Sequence, residues 1–355
     1  MKNKKARASQ SAPPSRSEFD FIDQLRKQTL DHRSSAGTSL QLGIGDDAAV
    51  FEQHNGRDTV ITTDLLVEEI DFRLNTTTPG LLGHKALAVS LSDIAAMGAL
   101  PRYSMLSIGV PQEVWKSNFV DEFYEGYLSL ARSHRVELIG GDVSQTPERV
   151  VIDSIVLGDL GRRTAISRSG AQPGDHIFVT GSLGGAAAGL QLLEHGACLS
   201  TSARRSKSVR AADSLLLRQL CPQPRVEWGL ALNKARLATA MIDISDGLSS
   251  DLSHLCRESN VGARLDAKKI PIDPSLIDVH QRIAFDPVEL ALNGGEDFEL
   301  LFTIPPRNLK RLPPHLGDVP VTYIGDITED AGRISLIDGP TVRDLAPRGF
   351  SHFSG

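Results

Sequence analysis

The chain is poor in cysteine and has no long apolar run. Its three cysteines, Cys198, Cys221 and Cys256, lie far apart without CxxC spacing, which argues against a disulfide framework and a thiolate metal site. No run of about 18 or more apolar residues occurs, so no segment is suited to span a bilayer. The first 17 residues carry Lys2, Lys4, Lys5, Arg7 and Arg16 with Pro13 and Pro14, but lack the apolar stretch of a signal peptide. They read as a disordered basic tail on a cytoplasmic protein. A net charge of -6 supplies no global basic field for nucleic acid. Also missing are G-x-x-x-x-G-K-[ST], a GxGxxG after a strand, and the protein-kinase Gly-rich loop with its His-Arg-Asp. Neither a P-loop nor a dinucleotide fold is supported, and without His-Glu-x-x-His or Gly-x-Ser-x-Gly neither is zinc-protease or serine-hydrolase chemistry.

What is present suffices for two cores. At 355 residues, 40% hydrophobic and 23% charged, the chain has the size of two domains of about 150 residues. Phe19, Ile22 and Leu25 suit a short amphipathic helix from Glu18 to about Leu30. Thr59 to Thr63 is β-branched throughout and reads as a strand ending at Asp64. Residues 80 to 98 read as a mostly apolar helix, entered after Pro79-Gly80 and stopped around Gly98 and Pro101. Leu82, Ala86, Val89, Asp93 and Ala96 share one face of it. Strands Tyr103 to Val110, Val136 to Ile139 and Val150 to Leu157, with a helix from about Val114 to His134, complete an α+β first domain. The Gly-, Arg- and Ser-rich stretch Gly158 to Gly174 marks the boundary. The expected plan is a tail (1–17), an N-terminal domain (18–160) and a C-terminal domain (161–355). Within the last, Gly196 to Asp213 is Ser/Arg-rich and aperiodic and reads as a mobile surface loop. Its Arg204, Arg205, Lys207 and Arg210 suggest a lid over bound phosphates.

Four acidic clusters occupy expected loops or strand ends: Gly43-Ile44-Gly45-Asp46-Asp47, Thr62-Thr63-Asp64, Gly140-Gly141-Asp142 and Asp243-Ile244-Ser245-Asp246-Gly247. Asp93 adds a fifth acid inside an apolar helix. Singly, each Gly-Asp is an ordinary turn or cap. Together they are harder to explain structurally, because carboxylates on apolar elements are costly unless paired, and hard divalent cations take oxygen ligands from separated segments. Magnesium fits that pattern. Gly45, Gly140, Gly141, Gly184 and Gly185 offer places where backbone N–H groups can approach phosphate. ATP follows as the natural ligand.

At the same clusters the sequence resembles the thiamine-monophosphate kinase family, within the superfamily of aminoimidazole ribonucleotide synthetase, selenophosphate synthetase and a hydrogenase-maturation enzyme. The motifs are LGIGDDAAV (42–50), TTDLLVE (62–68), HKALAVSLSDIAAMGA (84–99), LIGGD (138–142), SRSGAQPGD (167–175), IDISDGLSSDL (242–252) and LNGGEDFELLF (292–302), between about Glu18 and Phe353. The resemblance implies a homodimer whose first domains pair through their sheets into a barrel, a C-terminal α/β sandwich domain, and a site in the cleft between domains. It implies several Mg²⁺ ions at Asp47, Thr62, Thr63, Asp64, Asp93, Asp142, Asp243 and Asp246. ATP would contact Gly141, Asp142, Arg168 and Ser245, and Glu296 and Phe350 would line the thiamine pocket. Asp142, Arg168 and Asp243 would carry the chemistry.

The implied reaction is transfer of the γ-phosphoryl of ATP to thiamine monophosphate. The acceptor is already an anionic phosphate, so no strong base is needed and direct in-line transfer is expected. One departure stands out: Asp71-Phe72 replaces the His-Phe that the family carries after the Thr-Asp motif. A carboxylate there would repel phosphate but attract a thiazolium, which makes Asp71 a candidate acceptor contact. The rivals are another ATP-using member of the superfamily and a non-catalytic nucleotide-binding relative. The selenium enzyme would be expected to carry a reactive Cys or selenocysteine in the N-terminal segment and the hydrogenase enzyme a terminal cysteine; this chain has neither, and the intact acids argue against a non-catalytic relative.

Overall fold

The computed structural model describes residues 18–31, 39–53, 56–200, 206–279 and 286–350. The expected basic tail, and Phe353, lie outside them. Residues 39–350 belong to one unit, and helix α1 (Glu18–Asp31) lies outside it.

The first sheet contains β1 (Leu40–Leu42), β2 (Ala49–Glu52), β3 (Arg57–Val67), β4 (Leu100–Val110), β5 (Glu137–Gln145) and β6 (Val151–Gly161), in the order β1-β2-β3-β6-β4-β5. It is open, with β1 and β5 at its edges. Residue alternation assigns its faces. Val60, Thr62 and Leu66 of β3 and Ser104, Leu106 and Ile108 of β4 are buried, whereas Thr63, Leu65 and Tyr103 are exposed. Helices α2 (Pro79–Ala96), α3 (Gln112–Trp115) and α4 (Phe119–His134) belong to this half, and α2 packs on β3 and β6 from the buried side.

The second sheet comprises β7 (His176–Thr180), β8 (Ala240–Asp243), β9 (Gly262–Asp266), β10 (Leu300–Ile304), β11 (His315–Leu316), β12 (Val319–Thr328), β13 (Ile334–Asp338) and β14 (Thr341–Asp344). Their order is β14-β13-β9-β12-β7-β10-β8, with β11 paired to β12. Around it lie α5 (Gly185–Glu194), α6 (Lys207–Leu220), α7 (Val226–Ala235), α8 (Leu248–Ser259), α9 (Pro274–Val279) and α10 (Pro287–Asn293). Every residue of β10 is buried, because both faces are covered. Leu300, Phe302 and Ile304 join the core that holds α2, while Leu301 joins the core under α8.

Helix α2 is the element common to both sheets. Thr78 caps it through Oγ1, which accepts the Leu81 N–H at 3.3 Å, and Pro79 opens its first turn. It is buried on nearly all sides and touches β3, β6, α4, α7 and β8. Position 83 must be glycine for α2 to meet α4, since a Cβ there would lie 1.9 Å from the Phe123 carbonyl oxygen.

Four expectations are corrected. The strand through Thr62 runs on past Asp64 to Val67, because its pairing with β6 extends to Val151. Gly140, Gly141 and Asp142 are not in a loop but within β5, paired to β4. The helix expected from 114 to 134 is two, divided where the Ser117 hydroxyl accepts the Phe119 N–H at 3.1 Å. Residues 207–213 begin α6 instead of continuing a mobile loop. Ser206 caps this helix, Ala211 and Asp213 are buried in it, and Asp213 Oδ1 accepts the Ser200 N–H at 2.8 Å. Of the proposed lid, Arg204 and Arg205 lie outside the described residues and Lys207 pairs with Asp278 at 2.8 Å.

Candidate active site

Four elements deliver carboxylates to one place. Asp47 lies in the turn before β2, Asp64 is on β3, Asp93 is on α2, and Asp243 ends β8. One carboxylate oxygen from each of Asp47, Asp93 and Asp243 lies within 4.8 Å of the other two. Thr62, on the same face of β3 as Asp64, donates through Oγ1 to Asp93 Oδ2. Ser90 and Ser92 of α2 donate to Asp64 Oδ2 at 2.7 Å and to Asp243 Oδ2 at 2.6 Å. The helix therefore supplies an acid and also the hydroxyls that orient acids from both sheets.

Burial and mutual repulsion raise these groups. Asp243 is pushed up to about 7, first by burial and then by the charge of Asp47, with the Ser92 hydrogen bond opposing. Burial lifts Asp64 to about 6 against its Ser90 hydrogen bond. Asp93 is raised well above the usual carboxylate range by burial and by Asp64, Asp243 and Asp47. One cation opposes them: Arg168, whose Nε donates to Asp47 Oδ1 at 3.0 Å. Burial works against the guanidinium charge, but Asp47 and Asp46 outweigh it and its pKa is raised. Its backbone N–H meets both Asp46 oxygens at 3.3 Å.

One arginine does not balance four carboxylates, and Asp47 Oδ2 is buried with no hydrogen-bond partner. An all-oxygen donor set with excess negative charge and an orphaned oxygen fits a hard divalent cation such as Mg²⁺.

A second group of predicted residues meets beside this cluster. The segments after β8 and before β10 run along each other, with the Glu296 N–H on Ser245 O at 2.8 Å and the Phe298 N–H on Ile244 O at 2.9 Å. The Asp251 carboxylate accepts the N–H groups of Asp246 at 3.2 Å and Gly247 at 3.0 Å. The C-terminal segment returns over the same turn: the Phe350 N–H reaches Asp246 O at 3.3 Å, and the Phe350 side chain is 49% exposed. Glu296 pairs with Lys85 of α2 at 2.6 Å and accepts a hydrogen bond from Gln219 of α6. Ser245, Asp246, Glu296 and Phe350, distant in sequence, are thus neighbours.

Other predicted residues are not drawn in. Thr63 points to the opposite face of β3, where Oγ1 donates to Asp153 at 2.6 Å. Asp142 pairs in register with Ser107, which alternates with buried Leu106 and Ile108, so it too faces outward. Gly141 is needed for packing: a Cβ would lie 1.9 Å from Leu106 O. The Asp71 carboxylate accepts the Val67 N–H at 2.8 Å, closing the turn after β3. The Gly184 N–H is not open to phosphate, since it donates to Asp297 at 2.7 Å, as does the nearby Ala186 N–H at 3.1 Å. Sequence reasoning passed over Ser90, Ser92 and Asp251. The signal was present in Ser-Leu-Ser-Asp and Ser-Asp-Gly-Leu-Ser-Ser-Asp, where polar residues interrupt apolar helical faces.

The chain matches the family model of the AIR synthase related protein N-terminal domain over residues 45–160 and that of the C-terminal domain over 172–337. It is 35% identical to thiamine-monophosphate kinase of Bacillus subtilis, covering 95% of this chain and 99% of that one. With the enzyme of that name from Escherichia coli K12 the identity is 37%, over 94% and 96%. The chain belongs to the thiamine-monophosphate kinase family. The structure of AaThiL complexed with AMPPCP and TMP superimposes with a TM-score of 0.81 at 32% identity, covering 97% of this chain and all of that one. The two AIR synthase domains and the mixed α/β architecture are therefore family features, and among the described residues no helix is long and apolar enough to cross a membrane.

Proposed function

We propose that this member of the thiamine-monophosphate kinase family transfers the γ-phosphoryl group of ATP to thiamine monophosphate, giving ADP and thiamine diphosphate. The observation that carries the reading is the convergence of Asp47, Asp64, Asp93 and Asp243, each from a separate family motif, beside Arg168. Relatives named for this activity, and a neighbour whose structure holds an ATP analogue with TMP, support it.

Asp47, Asp64, Asp93 and Asp243 would hold Mg²⁺, with Thr62 orienting Asp93; Asp246, at the neighbouring turn, would join them. Bound there, the metal would neutralise charge between two anionic phosphates. Arg168 lies beside the same acids, placed to stabilise the transferring group. The acceptor phosphate is its own nucleophile, so the chain supplies position and charge and no covalent intermediate. Ser245, at the turn after β8, would contact ATP, whereas Thr63 and Asp142 face outward from the first sheet and are given no part in the cluster. Glu296 and Phe350 would line the acceptor pocket. We assign residues 18–160 and 161–355 as the two domains of a cytoplasmic homodimer. Leu65, Tyr103 and Ile139, exposed on the first sheet, and the open edge of β5 support pairing through that sheet. The experiment is an assay of ADP release with ATP and Mg²⁺, with and without thiamine monophosphate. Release that requires the acceptor and stops with EDTA is expected; acceptor-independent release would favour another ATP-using chemistry.

A further inference from the structure

Gln219 is 4% exposed, near the end of α6. Its Nε2 donates to Glu296 Oε2, while its Oε1 is buried with no hydrogen-bond partner. The opposite amide orientation would set oxygen against a carboxylate, so the network itself selects the atom left over. A buried carbonyl oxygen without a donor is costly and calls for a reason. The neighbouring residue, Arg218, fastens α6 to the same segment through Glu299 at 3.2 Å, so the amide is held in place.

Glu296 is held from two further sides. Lys85, 4% exposed, meets its Oε1 at 2.6 Å, and its backbone adopts φ +66°, a left-handed conformation uncommon for a residue with a side chain. Lys85 and Asp93 both lie on α2, eight residues apart, which is about 12 Å along the helix axis. The acceptor is an aminopyrimidine, a thiazolium and an ethyl phosphate in series. An acceptor lying along α2 with its phosphate at Asp93 would bring its aminopyrimidine to Glu296 and Gln219, which meet each other and Lys85 at that end. The exocyclic amino group of that ring carries two N–H donors and needs two acceptors.

We propose that Gln219 is a specificity-determining residue that selects the amino-bearing ring: its Oε1 accepts one N–H of the exocyclic amino group while Glu296 accepts the other. Lys85 is a positioning residue acting through Glu296. This rests on the kinase reading above. The test compares thiamine monophosphate with an analogue whose ring amino group is replaced by hydrogen, in wild type, Gln219→Met and Lys85→Met. Wild type should prefer the amino-bearing acceptor. Gln219→Met should raise the KM for thiamine monophosphate about ten-fold, the loss of one buried hydrogen bond. It should leave the KM values for the analogue and for ATP unchanged. Lys85→Met should raise the acceptor KM with little change in the ATP KM. Equal shifts for both acceptors in Gln219→Met, or none, would overturn the proposal. Should that variant not fold, wild type decides: equal kcat/KM for the two acceptors contradicts it. Wild-type protein that forms no thiamine diphosphate would contradict the kinase reading itself.

Discussion

Asp93 is the acid at which the two sheets meet. Its carboxylate takes the Thr62 hydroxyl from the first sheet and lies beside Asp243 from the second. Asp93→Asn removes a ligand charge without volume, so it should keep the fold yet lose turnover by at least about 100-fold. Near wild-type kcat at limiting Mg²⁺, with an unchanged Tm, would count against the metal site. Asp71 makes a sharper choice. Its contact with the Val67 N–H gives it a local role, whereas the acceptor reading gives it a thiazolium to face. Asp71→Asn keeps an oxygen for the Val67 N–H and removes the charge. It should therefore raise the KM for thiamine monophosphate several-fold and leave that for ATP nearly unchanged. An unchanged acceptor KM leaves only the turn. At this scale the sequence was partly legible. The motif Thr62-Thr63-Asp64 names three polar residues, but strand alternation sends Thr63 to the other face, a fact that needed the strand's length and register. The same parity removes Asp142 from the inner cluster.

Helix α2 collects the consequences of burying acids. Asp243 at about 7 and Asp64 at about 6 lie above the ordinary carboxylate value near 3.9, so the metal-free folded state binds more protons than the unfolded chain between those limits. Stability from these groups is present at low pH and is lost as pH rises toward 7. In EDTA the melting temperature should fall between pH 5 and pH 8. Mg²⁺ should restore several degrees at pH 8 and little at pH 5, because a bound ligand stabilises only the fold that holds it. Thermal melts in which Mg²⁺ has no effect at pH 8 would contradict the assignment. This helix was readable from its apolar run between Pro79-Gly80 and Gly98, and the structure places it at Pro79–Ala96. Helix α6 was not, because its polar first turn resembles a loop until Leu215, Leu216, Gln219 and Leu220 complete the buried face. The pairing of Glu296 with Lys85 and Gln219 could not be read from sequence at all, since three elements far apart in the chain must fold before the residues meet.

For the molecule as a whole, the two-part plan was legible because the motifs fall in order along the chain, and each half builds one sheet. Assembly was less so, since the outer face of the first sheet is defined only once Leu65, Tyr103 and Ile139 are placed on it. Sedimentation equilibrium should give twice the chain mass, and Ile139→Lys should shift the protein toward a monomer; a monomeric wild type at micromolar concentration would remove the dimer. The central claim is direct transfer from ATP to a phosphate acceptor at the acidic cluster. Its most direct test is a single turnover with γ-labelled ATP, Mg²⁺ and thiamine monophosphate, following where the label goes. The expected result is label appearing in thiamine diphosphate at the rate at which ATP is consumed, with none on the protein. Label in inorganic phosphate alone, or on the polypeptide before product forms, would contradict it.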